Sequence, residues 1–517
     1  MQSGVETRTR RARRDTVPPA PSTIAEAAPA PYRATRAELR RLVMVFVLTR
    51  LLVTVAGVGF LDTLLKTGWQ ILDIRLLRHD LFRSIWYLHS QPPLFNVYLG
   101  ALVHLPGSAG GWGLVTYSGL GLALVIGLDL LMLELRTPPR VAWVAAVVFS
   151  VLPSTIAYEH FLFYTYFVTT ALCWGSLAVA RYARTRSTGW GVAATSLFAA
   201  VALTRASYHL VWLVALAALI LIAVRPRSRR ALVWMLLPVL VVTGWYVKTF
   251  VMFGQFATSS WTGMNMAHVV LARVPRAELQ KMVDRGELST DVLHGPFKPL
   301  AAYGVKPTHT GIPALDEVKQ SGSPNFNNEA YIAISSRFLH DDLTYARKHP
   351  GQWLSNIVGS FRIYFLPAQQ YSYFGPNLQT RGLAQVADRV PLLQARPYTW
   401  NHVLPRPGSS KYFPQADQVA WLVVAQYAAV FFLTPLAAWA FVRRRGRLDP
   451  VMLTSLVIGL TVWWTMFVDN LFDLSENNRF RYETDAIVWA LSVALLVAGV
   501  QRLRARRARR LEAAPTS

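Results

Sequence analysis

The chain has 517 residues, of which 53% are hydrophobic and 16% are charged, whereas roughly 25% of an average soluble chain is charged. This composition excludes an ordinary soluble domain. Charge-free runs also recur, each near the roughly 20 residues that span a bilayer as a helix. The single cysteine, Cys173, lies inside one such run, which excludes a disulfide framework and a cysteine-based metal site.

The net charge of +25 would suit a nucleic-acid-binding protein, but its placement indicates another origin. The arginines form short blocks beside the apolar runs, as the positive-inside rule describes for cytoplasmic loops. We therefore predict no nucleic-acid partner. Residues 1–38 and 503–517 are basic. Both are predicted to be cytoplasmic tails, and the first is predicted to be disordered because it lacks an apolar stretch.

Ten apolar runs predict transmembrane helices. They lie at about residues 40–61, 114–134, 139–157, 161–180, 188–203, 208–224, 231–252, 417–441, 451–469 and 486–501. A shorter apolar segment, 92–106, begins with Pro92 and Pro93. If it does not cross, every arginine block falls on the cytoplasmic side. The segment is therefore predicted to lie at the interface, and both termini are predicted to be cytoplasmic.

The predicted fold class is an all-α polytopic membrane protein with about ten transmembrane helices, located as a multi-pass protein in the cell membrane. Residues 39–252 are predicted to form a transmembrane module that includes an amphipathic external loop at 62–111. Residues 253–416 are predicted to form a small extracytoplasmic domain of mixed or mostly helical structure, and residues 417–502 the C-terminal transmembrane helices. We find no internal repeat, which disfavours a transporter built from repeated halves.

The first external loop carries apolar residues at positions 71, 72, 74, 76, 77, 81 and 82, a spacing that predicts a helix lying on the membrane surface. Asp73 and Asp80 are seven positions apart, so on one continuous helix they would share a face. An acid held at the interface is costly unless it has a partner or a function. A simpler alternative is that Asp73 forms a surface ion pair with Arg75 or Arg78.

Four short segments resemble the membrane-embedded glycosyltransferases of the GT-C superfamily. The group concerned is the one related to protein O-mannosyltransferases and aminoarabinose transferases. The segments are Asp73 itself, HSQPPLF at 89–95, LPSTIAYEH at 152–160 and ENNRFR at 476–481. All four fall on the outer face in the predicted topology. This sequence departs from the usual pair of adjacent acids, because Ile74 follows Asp73.

The resemblance implies an inverting transfer of a sugar from a polyprenyl-phosphate donor to a glycan, lipid or protein acceptor at the outer surface. It implies Asp73 as the general base, with Asp80 in reserve, and Glu159 as a supporting acid. Three arginines lie on the outer face against the positive-inside rule and are candidates for binding the donor phosphate: Arg205, Arg479 and Arg481. The candidate substrate contacts are His89, His160, Tyr208 and Glu476.

Several alternatives stay open. Asp73 and Glu159, together with His89 or His160, could hold a divalent cation such as Mg²⁺ or Mn²⁺, but no fixed ligand spacing supports this, and we assign neither a metal site nor a cofactor. Residues 259–265 could contact carbohydrate or could stabilise a turn. A transporter or flippase of lipid-linked glycans, and a noncatalytic membrane subunit, are the competing functions.

Overall fold

The computed structural model describes residues 31–306, 310–316, 318–319, 321–371, 374, 403–405, 412–414, 420–446 and 448–512. Most of the predicted N-terminal tail, the last part of the predicted extracytoplasmic domain and the end of the C-terminal tail therefore lie outside the described residues.

The first half of the chain is a series of helices joined by loops. They are α1 (Arg36–Val55), α2 (Leu64–Thr67), α3 (Ile74–His79), α4 (Leu81–Trp86), α5 (Leu94–His104), α6 (Ala109–Glu134), α7 (Pro139–Ser150), α8 (Pro153–Glu159), α9 (Tyr164–Thr185), α10 (Thr188–Ala202), α11 (Leu210–Ala223) and α12 (Arg229–Phe253). The first begins with a capping box, in which Thr35 and Glu38 satisfy each other's backbone N–H groups.

Shorter helices follow α12. They are α13 (Thr262–Val270), α14 (Arg276–Asp284), α15 (Ala330–Lys348) and α16 (Pro350–Tyr364), with 3₁₀ turns at Thr290–Leu293, Leu300–Tyr303, Pro313–Leu315 and Ala368–Gln370. Trp261, Phe326 and Phe338 are buried in an apolar core that these elements form among themselves. We call the described residues from 254 to 371 the insert domain. Its mostly helical structure agrees with the sequence prediction.

Two short antiparallel strands, β1 (Val403–Pro405) and β2 (Tyr412–Pro414), precede the last helices. These helices are long and apolar: α17 (Trp421–Arg443), α18 (Pro450–Phe472) and α19 (Asn477–Glu512). The side chain of Asp449 caps α18 by accepting hydrogen bonds from the backbone of Val451 and Met452.

Five helices of the described chain, α6, α12, α17, α18 and α19, are long and apolar enough to cross a bilayer, and a sixth span is formed if α7 and α8, bent by 61°, are taken together. The chain is therefore a multi-pass membrane protein. A helix lies on each of the ten predicted segments, because α1, α9, α10 and α11 cover the other four. The count of ten spans itself stays a prediction.

The apolar core of the bundle is built around α9, which packs against α6, α10, α18 and α19. The 11-residue α5 is only about 16 Å long at 1.5 Å per residue, roughly half of what a span requires. Its length supports the prediction that the segment after Pro93 does not cross the membrane.

One local prediction is wrong. Residues 71–82 do not form a single helix, because Asp80 has φ −145° and separates α3 from α4. Asp73 itself lies before the first turn of α3. Asp73 and Asp80 therefore do not share a helix face, and their proximity to one pocket has a different cause, described below.

Candidate active site

A pocket of about 290 Å³ lies between α3 and the insert domain. The residues that line it are mostly polar: Asp73, Arg75, Leu76, His79, Asp80, Pro313, Asp316, Val318, Lys319 and Asn325. Both carboxylates predicted to serve as base, those of Asp73 and Asp80, line this pocket. Asp73 precedes α3, and Asp80 lies at the break between α3 and α4. The volume is at the lower end of the roughly 300–1,000 Å³ of small-molecule sites.

Asp73 caps the N-terminus of α3. Its Oδ1 accepts a hydrogen bond of 2.8 Å from the backbone N–H of Arg75, and the Nε of Arg75 lies 3.5 Å from the same oxygen. The side chain of Asp73 is only 8% exposed, whereas that of Arg75 is 60% exposed. The ion pair foreseen as a surface contact therefore exists, but the carboxylate belongs to the wall of the pocket.

Lys319, from the insert domain, holds the backbone just before Asp73. Its Nζ donates hydrogen bonds to the carbonyl oxygens of Gly68 at 2.7 Å and Ile71 at 2.5 Å. Burial lowers the pKa of Lys319 to about 8, and the nearby charge of Asp73 opposes that shift. Sequence reasoning missed this residue, because it lies 248 positions from Ile71 and no local pattern marks it.

A second contact with the insert domain is centred on His89, which is fully buried. Its Nδ1 lies 2.8 Å from the Ser260 hydroxyl and its Nε2 lies 2.8 Å from the carbonyl oxygen of Asn327. The Asn327 Oδ1 accepts from the backbone N–H groups of His89 and Ser90. His89 thus joins two parts of the chain. Its predicted role in substrate binding stays a prediction, with both ring nitrogens engaged by protein atoms.

This contact is expected to weaken in acid. Burial, aided by the charge of Lys248, lowers the pKa of His89 from 6.5 to about 3. Below pH 6.5 the unfolded chain therefore binds a proton that the folded chain excludes. By pH 4.5 we expect a loss of about 2.5 kcal/mol of unfolding free energy relative to pH 7. His89→Gln, which retains a donor and an acceptor without titrating, should show a shallower acid dependence in denaturant titrations. Identical pH dependence in both proteins would contradict this assignment.

Glu159 ends α8 and is fully buried. It forms a two-point ion pair with Arg50 of α1, at 2.9 Å to Nε and 2.6 Å to Nη2, and accepts from the Tyr166 hydroxyl at 3.1 Å. Its neighbour His160 is also buried and contacts the Ile156 carbonyl oxygen through Nδ1 at 2.9 Å. The supporting-acid role of Glu159 and the substrate contact of His160 stay predictions.

Arg205 and Arg479 lie in one buried cluster. Arg205 pairs with Asp469 at 2.8 Å and also with Glu483, and the Phe480 ring lies next to both guanidinium groups. Tyr208 is buried beside Arg205, with its ring centroid 5.9 Å from the guanidinium carbon. Carboxylates thus already neutralise Arg205.

Arg479 pairs with Glu476 at 2.6 Å and donates to the Thr165 hydroxyl at 3.1 Å. Its guanidinium is bordered by the rings of Phe163 and Tyr164. The side chain of Glu476 is 28% exposed, whereas the partners of Arg205 are at most 2% exposed. Arg479 is therefore the arginine of this cluster whose carboxylate partner faces open space.

Arg481 is separated from this cluster. It donates to the carbonyl oxygens of Tyr364 and Leu366, and it pairs with Asp485 at 3.1 Å. Residues two apart on a helix do not face each other, so Arg479 and Arg481 point to different neighbours. Arg481 lines a smaller pocket of about 60 Å³ between α8, α17 and α19.

The α5 helix connects the Asp73 pocket with the arginine cluster. The backbone N–H of Leu72, next to Asp73, donates to Asn96 at 2.8 Å. The adjacent Phe95 ring packs edge-to-face on Tyr164, with centroids 5.7 Å apart, and Tyr164 borders Arg479. A chain of contacts through α5 thus links the pocket of Asp73 and Asp80 to the cluster of Arg205, Tyr208, Glu476 and Arg479, although none of these four residues lines that pocket.

The described residues contain no group of three His, Cys, Asp or Glu side chains placed to hold a metal ion. In particular, Glu159 pairs with Arg50, and the ring nitrogens of His89 contact Ser260 and Asn327. Metal dependence stays untested.

Several buried residues of the site were not identified from the sequence. Arg50 and Asp469 lie within predicted transmembrane segments, and an ionisable residue there is itself a signal of function or pairing. Asn327 and Lys319 carry no comparable signal. In the stretch 259–265 the Ser259 hydroxyl donates to the Ser90 carbonyl oxygen at 2.6 Å and accepts from the Trp261 backbone N–H at 3.3 Å; carbohydrate contact by this stretch stays a prediction.

No protein-family model matches the chain, and no curated protein matches it. Among solved structures, the chain is similar to two of the oligosaccharyltransferase AglB from Archaeoglobus fulgidus. One is in complex with an inhibitory peptide and a dolichol-phosphate (13% identity, TM-score 0.34), and the other is the apo form (14% identity, TM-score 0.30). The matches cover 93% and 92% of this chain, which spans about half the length of AglB, 52% in each case.

A third similar structure is apo ArnT from Cupriavidus metallidurans, with 12% identity and a TM-score of 0.28, covering 86% of this chain and 77% of ArnT. TM-scores this low do not establish a common fold, and identities of 12–14% carry no residue roles from those proteins to this chain.

Proposed function

We propose that the chain is a membrane glycosyltransferase that transfers a sugar from a polyprenyl-phosphate donor to an extracytoplasmic glycan, lipid or protein acceptor, with inversion. The observation that carries the proposal is the placement of Asp73. It is a largely buried carboxylate, fixed by its own helix cap and by the insert domain, at the wall of a polar pocket beside a membrane bundle.

In the proposed reaction Asp73 accepts the proton of an acceptor hydroxyl. The acceptor oxygen then forms a bond to the anomeric carbon while the bond from that carbon to the phosphate oxygen breaks. Polyprenyl phosphate leaves with the bonding electrons. Attack from the face opposite the phosphate inverts the anomeric configuration. Asp80 lines the same pocket and is the alternative base.

The leaving phosphate needs cationic neutralisation. Of the three arginines predicted to bind it, we assign this role to Arg479. Its ion-pair partner Glu476 is the most exposed of the carboxylates paired with these arginines, so a phosphate can take the place of Glu476 without entering a closed core. Aromatic rings beside the guanidinium exclude water from it, which strengthens a charge-assisted hydrogen bond.

The test is a transfer assay with the full-length protein in lipid nanodiscs. The probes are short-chain polyprenyl-phosphate sugars, each radiolabelled in the sugar, offered with an envelope glycan fraction as acceptor. Free polyprenyl phosphate is the product common to all donors, so its release, measured by mass spectrometry, reports turnover whichever sugar is used. We expect acceptor-dependent release of polyprenyl phosphate with label in the acceptor. Movement of an intact lipid-linked glycan across liposome membranes without such release would instead support a flippase.

A further inference from the structure

The insert domain contacts the loop that carries Asp73 on both sides of that residue. Before Asp73, Lys319 donates to the carbonyl oxygens of Gly68 and Ile71. After it, Asn327 accepts from His89 and Ser90 and donates through Nδ2 to the Tyr87 carbonyl oxygen at 3.2 Å. The helices α3 and α4 therefore lie between two fixed points that belong to a distant part of the chain.

The backbone of Lys319 is itself held by two hydrogen bonds. Its backbone N–H donates to the Ser323 carbonyl oxygen, and its carbonyl accepts from Gly322, both at 2.9 Å. Gly322 has φ +75°, a conformation that glycine adopts without strain. The lysine is 6% exposed, so its ammonium group is removed from water and directed at the two loop carbonyls.

The loop segment that receives these bonds is also held by Asn96 of α5, whose Nδ2 donates to the Gln70 carbonyl oxygen at 3.2 Å and whose Oδ1 accepts from the Leu72 N–H at 2.8 Å. It is the short stretch between α2 and α3, and Asp73 follows Ile71 by two residues. The stacked rings of Trp69 and Phe297, with centroids 5.6 Å apart, reinforce the same contact. The Ile71 carbonyl and the Leu72 N–H belong to one planar peptide unit, so Lys319 and Asn96 together set the direction of the backbone that enters Asp73.

We propose that Lys319 is a positioning residue that binds the turn at residues 68–71 to the insert domain and thereby directs the Asp73 carboxylate into the pocket. The inference rests on the proposed function for its catalytic consequence, whereas its structural part stands without it. The insert domain, on this view, is a component of the active site that positions the base.

The structural part is tested by hydrogen–deuterium exchange of the full-length protein in nanodiscs. Lys319→Met keeps the length and apolar stem of the side chain but removes the donors. We expect exchange of residues 68–80 to accelerate about 10- to 100-fold, the effect of losing a charged buried hydrogen bond, with the membrane helices unchanged. Lys281→Met, at an exposed lysine of α14, is the matched control. Unchanged exchange at 68–80 in Lys319→Met would overturn the proposal.

The catalytic part is tested by kinetics and by chemical rescue. We expect Lys319→Met to lower kcat about 10- to 100-fold and to leave the donor KM within about threefold, as misplacement of a base requires. Lys319→Cys is then made in a Cys173→Ala background, since Cys173 is the chain's single cysteine. Alkylation with bromoethylamine rebuilds a lysine-length ammonium and should restore both protection and kcat.

The two experiments distinguish failure of the positioning role from failure of the proposed function. Lost protection with unchanged kcat would overturn the positioning role, and failure of the alkylated protein to recover would do the same. A wild-type protein that transfers no sugar from any donor would overturn the proposed function alone, because exchange in the same samples still confirms or refutes the hold of Lys319 on the loop.

Discussion

Asp73→Asn is expected to lower the rate of sugar transfer by about 10²- to 10⁴-fold, the usual contribution of a general base. The substitution removes the negative charge without removing the helix cap, because asparagine is as good an N-cap as aspartate. The hydrogen bond to the Arg75 backbone N–H and the start of α3 are therefore retained, and the loss reports on the carboxylate. The measurement is the release of polyprenyl phosphate per protein in nanodiscs, at matched expression and thermal stability.

Two further variants give this result its control. Asp73→Ser also preserves the cap without a carboxylate and should be as inactive as Asp73→Asn. Asp80→Asn, in the same pocket but at the α3–α4 junction, should retain substantially more activity. Full turnover by Asp73→Asn together with loss in Asp80→Asn would move the base to Asp80.

The second large effect is on stability. Arg50→Met leaves the Glu159 carboxylate buried without its two-point partner, and we expect a loss of about 3–5 kcal/mol of unfolding free energy, as for other broken buried pairs. The double variant Arg50→Met/Glu159→Leu removes both charges and should recover most of that loss. Denaturant titration of the detergent-solubilised protein measures both values.

The matched control is the pair between Arg184 and Glu134. It is more open, with the Arg184 side chain 36% exposed, and Glu134 keeps Arg181 as a second partner at 3.4 Å. Arg184→Met should therefore cost no more than about 1 kcal/mol. Equal losses of unfolding free energy in Arg50→Met and Arg184→Met would contradict the larger contribution assigned to the buried pair of Arg50 and Glu159.

The same double variant also tests the supporting-acid prediction for Glu159. If it regains stability and still transfers sugar, Glu159 serves the architecture of the site. If it regains stability and loses transfer, Glu159 takes part in the reaction. The two roles are separable because stability and turnover are measured on one sample.

Sequence patterns predicted the elements that depend on neighbours along the chain. Each of the ten predicted apolar runs coincides with a helix or, at 139–157, with the kinked pair α7–α8, and the mostly helical insert domain was anticipated. The break at Asp80 was not predicted, because the apolar spacing at 71–82 is compatible with one helix and gives no sign of the non-helical Asp80 backbone, which has φ −145°.

The site was predictable only in part, for a related reason. Asp73 and Asp80 could be identified from the residues around them in the sequence. Arg50, in contrast, binds Glu159 from 109 positions away, and Lys319 binds Ile71 from 248 positions away. Such pairs depend on how the helices pack, and the spacing of residues along the sequence does not predict that packing. The separation of Arg481 from Arg479, in contrast, follows from helical geometry once α19 is known to begin at Asn477, because neighbours two apart diverge.

The contacts of Lys319 before α3 and of Asn327 after α4 also have a consequence for biogenesis. Synthesis proceeds from the N-terminus, so residues 68–90 emerge long before Lys319 and Asn327 exist. Until those residues are made, the carbonyls of Gly68 and Ile71 and the backbone N–H groups of His89 and Ser90 lack the partners seen in the finished protein. The pocket therefore forms late, after most of the chain has been translated, and a nascent chain stalled before the insert domain carries Asp73 without a complete pocket around it.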